Sequence, residues 1–209
     1  MGFARFIKTS RKLNRMGRWA TEYMTDDVRP TIASHSFTTS QIAQMLGVIE
    51  ESFGVTVNWK NLYRKALNHD LLEALTGDVL SHVKNRNPQI KENINVIEKE
   101  LAQIEIVDNL PKNFQGEYTE IFLEGKDETV EGQILKAADA IDLLVECLLE
   151  LERGNPEEIF FRTYMDYLKK LKDIELKSVE YFLGETLNEF LVNMPKIKSM
   201  TDEILGKTK

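Results

Sequence analysis

The chain contains three histidines, and two of them lie where carboxylates could join them around a metal ion. His35 stands between Ser34 and Ser36, and His69 is followed at once by Asp70 in Asn68-His69-Asp70-Leu71-Leu72-Glu73. Far downstream, Asp139 interrupts an apolar run at Lys136-Ala137-Ala138-Asp139-Ala140. Imidazole nitrogens combined with carboxylate oxygens make a mixed ligand set suited to a catalytic divalent cation. Such an ion lowers the pKa of bound water and draws charge from a phosphoryl oxygen, so phosphoester hydrolysis is the chemistry this set would serve. Glu73 lies four residues after His69, one turn along a continuing helix, where it could orient or deprotonate the attacking water. The plain alternative for Glu73 is a solvated helix-face residue.

Asp139 shares a helical line with Leu135 and Leu143, so it falls inside an apolar stripe. A carboxylate there has to be paired, hydrogen-bonded or metal-bound, because an isolated buried charge is costly. Asp142, between Ala138 and Val145, makes the same demand, and spacing alone does not separate the two. His35 taken alone reads as a structural residue near a helix start. The chain has no phosphate-binding glycine loop, no cysteine pair for zinc, no His-Glu-x-x-His and no Gly-x-Ser-x-Gly. Met16, Tyr63, Phe160, Phe161 and Tyr164 read most simply as core.

These side chains need a frame, and the pattern is helical. Residues 2–16 form a basic amphipathic helix carrying Phe3, Phe6, Ile7 and Leu13, and residues 20–34 read as irregular. From Ser36 a helix runs through Phe37, Ile42, Met45, Leu46, Ile49 and Phe53 and stops at Gly54. Asn58 caps the next, which carries Trp59, Leu62, Tyr63, Ala66 and Leu67 and places His69 near its end on the inward side. Thr76-Gly77-Asp78 reads as a turn. Ile94, Ile97, Leu101 and Ile104 mark a helix over 91–107. Asp127 is the expected cap of a long helix to about Arg153, ended by Gly154. Asn155-Pro156-Glu157-Glu158 then has the form of a cap, a first-turn proline and a glutamate at the third position. A last helix covers 176–194, and the lysine-rich tail over 196–209 is expected to fray. No strand alternation, repeat, low-complexity tract or linker interrupts this pattern, so residues 1–209 read as one all-α domain.

Composition narrows the function. With 42% apolar and 29% charged residues, the 209-residue chain has the balance of a globular protein with a real core. The net charge of −7 argues against a general nucleic-acid binder, yet leaves a small anionic substrate open, since a pocket can be locally positive. Cys147 is the single cysteine; among Val145, Leu148 and Leu149 it reads as a buried free thiol, which suits a reducing cytoplasm. No run approaches the roughly 18 apolar residues of a membrane helix. The N-terminal basic residues lead into no signal-peptide core, and Phe6 stands where myristoylation needs Ser or Thr.

Taken together, these residues resemble the HD-domain phosphohydrolases, an all-helical superfamily with His…His-Asp…Asp metal ligands, and within it the YfbR-like bacterial 5′-deoxynucleotidases. The likeness runs through Asn14 to Trp19, Ser34-His35-Ser36, Val83-Lys84, Ile97-Glu98-Lys99 and Lys136 to Ala140. Its specific part is His69-Asp70-Leu71-Leu72-Glu73-Ala74-Leu75-Thr76-Gly77-Asp78. The resemblance implies a single HD-domain helical bundle in which His35, His69, Asp70 and Asp139 hold one divalent cation (Mn, Co, Fe, Zn or Mg). It thereby favours Asp139 over Asp142. It implies catalytic roles for Asp70 and Glu73, with Glu73 activating or positioning the water. Arg18 would hold the substrate phosphate, since a guanidinium fork matches phosphate oxygens. Trp19 and Asp78 would contact the sugar and disfavour a 2′-hydroxyl. Lys84 would add positive potential near the phosphate, or is a solvated surface lysine. The implied reaction converts a deoxynucleoside 5′-monophosphate to deoxynucleoside and phosphate. The implied assembly is a homodimer, with a nucleotide as the small-molecule partner and no membrane or nucleic-acid polymer.

Two departures bear on substrate choice. Ser34 stands where the family usually has an acidic residue, which is expected to weaken the support around His35. Ser81-His82-Val83-Lys84 replaces the usual Thr-Pro-Val-Lys, and His82 is either a loop residue or a substrate contact. A second reading keeps the metal and changes the substrate to a triphosphate, a cyclic or alarmone nucleotide, or another phosphomonoester. The alarmone pattern His-Asp-x-x-Glu-Asp is broken by Ala74. A third reading is a helical nucleotide-binding protein without turnover.

Overall fold

In the computed structural model, residues 2–77, 87–123 and 127–207 are described, and they form helices with one isolated bridge, Gly17 to Thr31. Helix α1 (Phe3–Ser10) tightens into a 3-10 turn over Arg11–Arg15, where a single helix to residue 16 was expected. Its aromatic face explains its position: Phe3 and Phe6 lie 5.9 and 5.2 Å from the Tyr118 ring.

Helix α2 (Ile32–Ser52) begins earlier than its apolar stripe suggests, because Thr31 caps it. Thr31 Oγ1 accepts from the Ser34 backbone N–H at 3.1 Å, and Ser34 Oγ accepts from the Thr31 N–H at 2.8 Å. This reciprocal box satisfies two donors that the first turn leaves open. Ser34 is exposed and serves the helix start. Helix α3 (Trp59–Asn68) is capped as expected, with Asn58 Oδ1 accepting from the Asn61 N–H at 3.1 Å. It packs close to α2 at Gly47, where a Cβ would fall 2.8 Å from the Trp59 ring.

The helix does not continue through His69 to Glu73. The chain turns over 69–72 and restarts as the short α4 (Glu73–Thr76). Helix α5 (Pro88–Glu105) has Asn87 as its cap and proline in its first turn, and α6 (Lys112–Leu123) follows, a helix not legible in the sequence. Helix α7 (Val130–Glu152) is the centre of the bundle. Its cap is Thr129, two residues after the expected Asp127; Asp127 instead accepts from the Thr129 N–H and from Lys65 Nζ at 2.7 Å.

Helix α8 (Glu158–Lys172) starts later than expected. Asn155 is buried and reaches back to the Tyr23 carbonyl and Glu150 while its Oδ1 accepts from the Glu157 N–H. The expected last helix is broken into α9 (Lys177–Tyr181), a π-helical turn (Phe182–Thr186) and α10 (Leu187–Phe190). The tail does not fray over its first part: α11 (Pro195–Leu205) packs on α8. Thr201 is buried there, 2.6 Å from the Tyr164 hydroxyl.

Helices α2, α3 and α8 pack around α7, with α9 against α2 and α8, and Leu46, Leu62, Ile134, Leu144, Leu148, Phe160 and Leu168 fill the space between the helices around α7. Burying each such side chain contributes on the order of 2 kcal/mol from the hydrophobic effect, which keeps α7 and its polar residues in one place. Cys147 is buried as a free thiol. Among the described residues, no helix is long and apolar enough to cross a membrane.

Candidate metal centre

Three elements bring the sequence-predicted ligands together. The Thr31 cap fixes the first turn of α2, which carries His35; the end of α3 delivers His69 and Asp70; the middle of α7 delivers Asp139. His35 Nε2 and His69 Nε2 lie 3.2 Å apart. Asp70 Oδ2 stands 3.2 Å from each of them, and Asp139 Oδ1 stands 3.1 Å from His35 Nε2 and 3.9 Å from His69 Nε2. Bonds of about 2.0–2.2 Å to one ion put neighbouring tetrahedral ligands about 3.3–3.6 Å apart, so the spacing fits a single first-row cation.

The other ring nitrogens fix the tautomers. His69 Nδ1 lies 2.8 Å from the Ala66 carbonyl, which can only accept, so Nδ1 carries the proton. His35 Nδ1 lies 2.6 Å from Asp142 Oδ2, a carboxylate buried one turn along α7 from Asp139. Both rings therefore turn an Nε2 lone pair toward the same point. Two lone pairs facing at 3.2 Å, with carboxylates around them, call for a cation. The charges agree. Burial and Arg18 oppose protonation of His35, yet Asp139, Asp142 and Asp70 hold its pKa well above the ordinary histidine value. Burial opposes ionisation of Asp70, yet His69 and His35 hold it well below the carboxylate range. A second candidate group, His35 with Asp142 and Glu146, shares His35 through its Nδ1 hydrogen bond.

Arg18 and Trp19 come from the segment between the 3-10 turn and α2. The Arg18 N–H donates to the Pro30 carbonyl at 2.8 Å, and the Ile32 N–H to Met16 at 2.9 Å. The Arg29 guanidinium donates to the carbonyls of Arg18, Trp19 and Glu22. These bonds hold Trp19 at φ 55, a left-handed conformation rare for a bulky residue. Arg18 Nε lies 3.2 Å from Glu146 Oε2, and the Trp19 indole N–H donates to the same oxygen at 3.0 Å. Burial works against the Arg18 charge, but Glu146, Asp139, Asp70 and Asp142 raise its pKa further. Burial, with the Asp142 charge, pushes Glu146 up. Trp19 itself is 6% exposed and stacks at 4.9 Å on Phe160, so its ring belongs to the core and little of it is open to a sugar.

Glu73 is buried at the start of α4, and its N–H donates to the Asp70 carbonyl at 3.1 Å across the tight turn. Asp78, His82 and Lys84 lie outside the described residues. Sequence reading missed Glu146, Arg29 and the buried Glu150, which accepts from the Thr25 N–H and hydroxyl at 2.8 Å each. A signal existed for the glutamates: Asp139, Asp142, Glu146 and Glu150 recur at spacings of three and four, one face of a helix.

An all-helical bundle that gathers two histidines and two aspartates at one point, beside a buried arginine, has the architecture of the metal-dependent HD-domain phosphohydrolases. An HD-domain phosphohydrolase from Listeria innocua superposes with a TM-score of 0.91 at 34% identity, over 100% of both chains. A 5′-deoxynucleotidase of Vibrio parahaemolyticus is 30% identical over 79% of this chain and 84% of its own. The family model described as 5′-deoxynucleotidase YfbR-like matches residues 5–190, and the chain belongs to that family. The same fold, at a TM-score of 0.57 and 17% identity over 96% of each chain, is found in the cyanophage S-2L HD phosphohydrolase DatZ, solved with dA and one catalytic Zn2+.

Proposed function

We propose that this protein hydrolyses deoxynucleoside 5′-monophosphates to deoxynucleosides and orthophosphate. The observation that carries this reading is the convergence of Asp70 and Asp139, each within 3.9 Å of both the His35 and the His69 Nε2, with Arg18 drawn to the same carboxylates. In it, those four residues hold one divalent cation. When bound, the ion supplies a more acidic water and neutralises charge on the phosphoryl oxygens. Arg18 takes the non-bridging phosphate oxygens in its guanidinium fork. Glu73, buried three residues beyond Asp70, accepts the proton of the attacking water. The water oxygen joins phosphorus, the P–O5′ bond breaks, and O5′ leaves with a proton as the free hydroxyl.

The sugar preference is assigned to Asp78, with Lys84 adding positive potential, both by the family pattern. Trp19 acts less by direct contact than by anchoring Glu146 beside Arg18. The dA seen with DatZ is compatible with a deoxynucleoside product. Action in the cytoplasm as a homodimer belongs to the same proposal, and light scattering at micromolar concentration decides the second part: a monomer removes it.

The test is phosphate release from dNMPs, NMPs and dNTPs after chelator treatment and re-addition of single divalent cations. Turnover of dNMPs well above NMPs is expected. Tripolyphosphate from dNTPs would mark a triphosphohydrolase, and nucleotide binding without turnover a binding protein. Asp139→Ala should abolish metal-dependent release while leaving the helical circular dichroism spectrum intact. Retained activity in that variant would remove Asp139 from the site.

A further inference from the structure

Arg18 sits in a field of four carboxylates, Asp70, Asp139, Asp142 and Glu146. Two of these are the proposed metal ligands and a third holds His35. A mobile guanidinium at this place would pair with those ligands, compete with the cation and turn away from an incoming phosphate. Glu146 stands apart from that set. Its Oε2 lies 3.2 Å from Arg18 Nε and takes the Trp19 indole N–H at 3.0 Å. The side chains of Arg18 and Glu146 are only 12% and 13% exposed, so water screens the pair weakly. The contact is an ion pair on the side of the inner nitrogen, whose buried N–H makes no hydrogen bond. The two terminal nitrogens make no hydrogen bond within the described residues. A bidentate phosphate contact uses such nitrogens.

We propose that Glu146 is a positioning residue: its charge, paired with the Nε side of the Arg18 guanidinium, holds that group away from the metal-ligand carboxylates and keeps the terminal nitrogens for the substrate phosphate. This rests on the phosphate role given to Arg18 above. The shared oxygen makes the device specific. One carboxylate fixes the side chains of two consecutive residues whose backbone carbonyls Arg29 already holds.

The proposal has an unusual sign. Glu146 adds a negative charge near a phosphate site, so its simple field weakens phosphate binding. If it acts only through that field, Glu146→Gln tightens phosphate. If it positions Arg18, the same change weakens it. Glutamine is nearly isosteric and its Oε1 can still accept from Trp19 Nε1, so the fold should persist, as circular dichroism would check.

The experiment compares wild type, Glu146→Gln, Arg18→Met and the double variant, each reconstituted with Mn2+. Calorimetry reads inorganic phosphate binding, and steady-state kinetics with dAMP separates KM from kcat. Glu146→Gln is expected to weaken phosphate binding and raise KM about tenfold, the size of a lost charged contact, with kcat little changed. In the Arg18→Met background the same substitution should add no further loss. If Arg18→Met weakens phosphate but Glu146→Gln does not, or if the two losses simply add, Glu146 has no positioning role and the Arg18 reading stands. If Arg18→Met changes neither constant, the Arg18 reading falls and this inference with it.

Discussion

At the scale of single residues, Asp139 and Asp142 show how one turn of helix separates two roles. Both are acids on an apolar helix, and spacing left them tied. In the fold, Asp139 Oδ1 faces His35 Nε2 at 3.1 Å, while Asp142 Oδ2 takes the Nδ1 proton at 2.6 Å. The first is placed to meet a cation; the second orients the ring that meets it. Carboxylates that hold a ligating histidine are worth about 10–100-fold in metal affinity. Asp142→Ala should therefore weaken Mn2+ binding by that factor in calorimetry, with the four proposed ligands still present. Unchanged affinity would show that the fold alone holds the His35 ring.

At the scale of elements, the segment between the 3-10 turn and α2 reads as irregular in sequence, yet it is held at many points. Arg29 binds three carbonyls, Glu150 binds Thr25, and backbone bonds run between Arg18 and Pro30. This is what lets a loop present Arg18 to a site built from helices. A small misplacement of a binding group costs affinity steeply. Arg29→Met should raise KM for the phosphomonoester about tenfold or more while the circular dichroism spectrum keeps its helical shape. An unchanged KM would mean that Glu146 and the packing of Trp19 suffice to hold the turn. The break after α3 has a related effect. By leaving the helix at His69, the chain can turn Asp70 back toward the two imidazoles and start α4 with Glu73 buried.

At the scale of the whole molecule, the C-terminal helix α11 is held on α8 by a buried pair of hydroxyls. Thr201 donates to the Ile197 carbonyl at 2.8 Å, so its one proton is used, and the Tyr164 hydroxyl donates to it at 2.6 Å. Burial, with the Asp202 charge nearby, pushes the Tyr164 pKa from its ordinary value near 10.0 up to about 12. The folded state then holds that proton more tightly than the unfolded chain. Stability from this source is complete below pH 10 and is lost as pH rises toward 12. Tyr164→Phe should cost about 0.5–1.5 kcal/mol at neutral pH, because Thr201 keeps its own bond, and should flatten the fall in stability between pH 10 and 12. Urea denaturation across that range measures both. An equally steep fall in the variant would assign the pH dependence to other groups.

Much of this protein was legible in its sequence because the signals are local. Helical stripes, Asn58 as a cap, Gly154 as a stop and the His69 to Asp78 run that carries the family likeness depend on neighbours within a few residues. Signals that compete locally misled: Thr31 rather than Ser36 starts α2, Thr129 rather than Asp127 caps α7, and the tail carries a helix because Thr201 finds Tyr164 across the bundle. What only the tertiary structure decided is which distant groups share an atom. His35 and Asp142 stand 107 positions apart, and Trp19 and Glu146 stand 127 apart. No local pattern encodes such a pairing, since it follows from how α2, the Arg18 segment and α7 pack on one another. Candidate ligands could be named from the chain; that they converge, and which residues hold them in place, appears only when the helices meet.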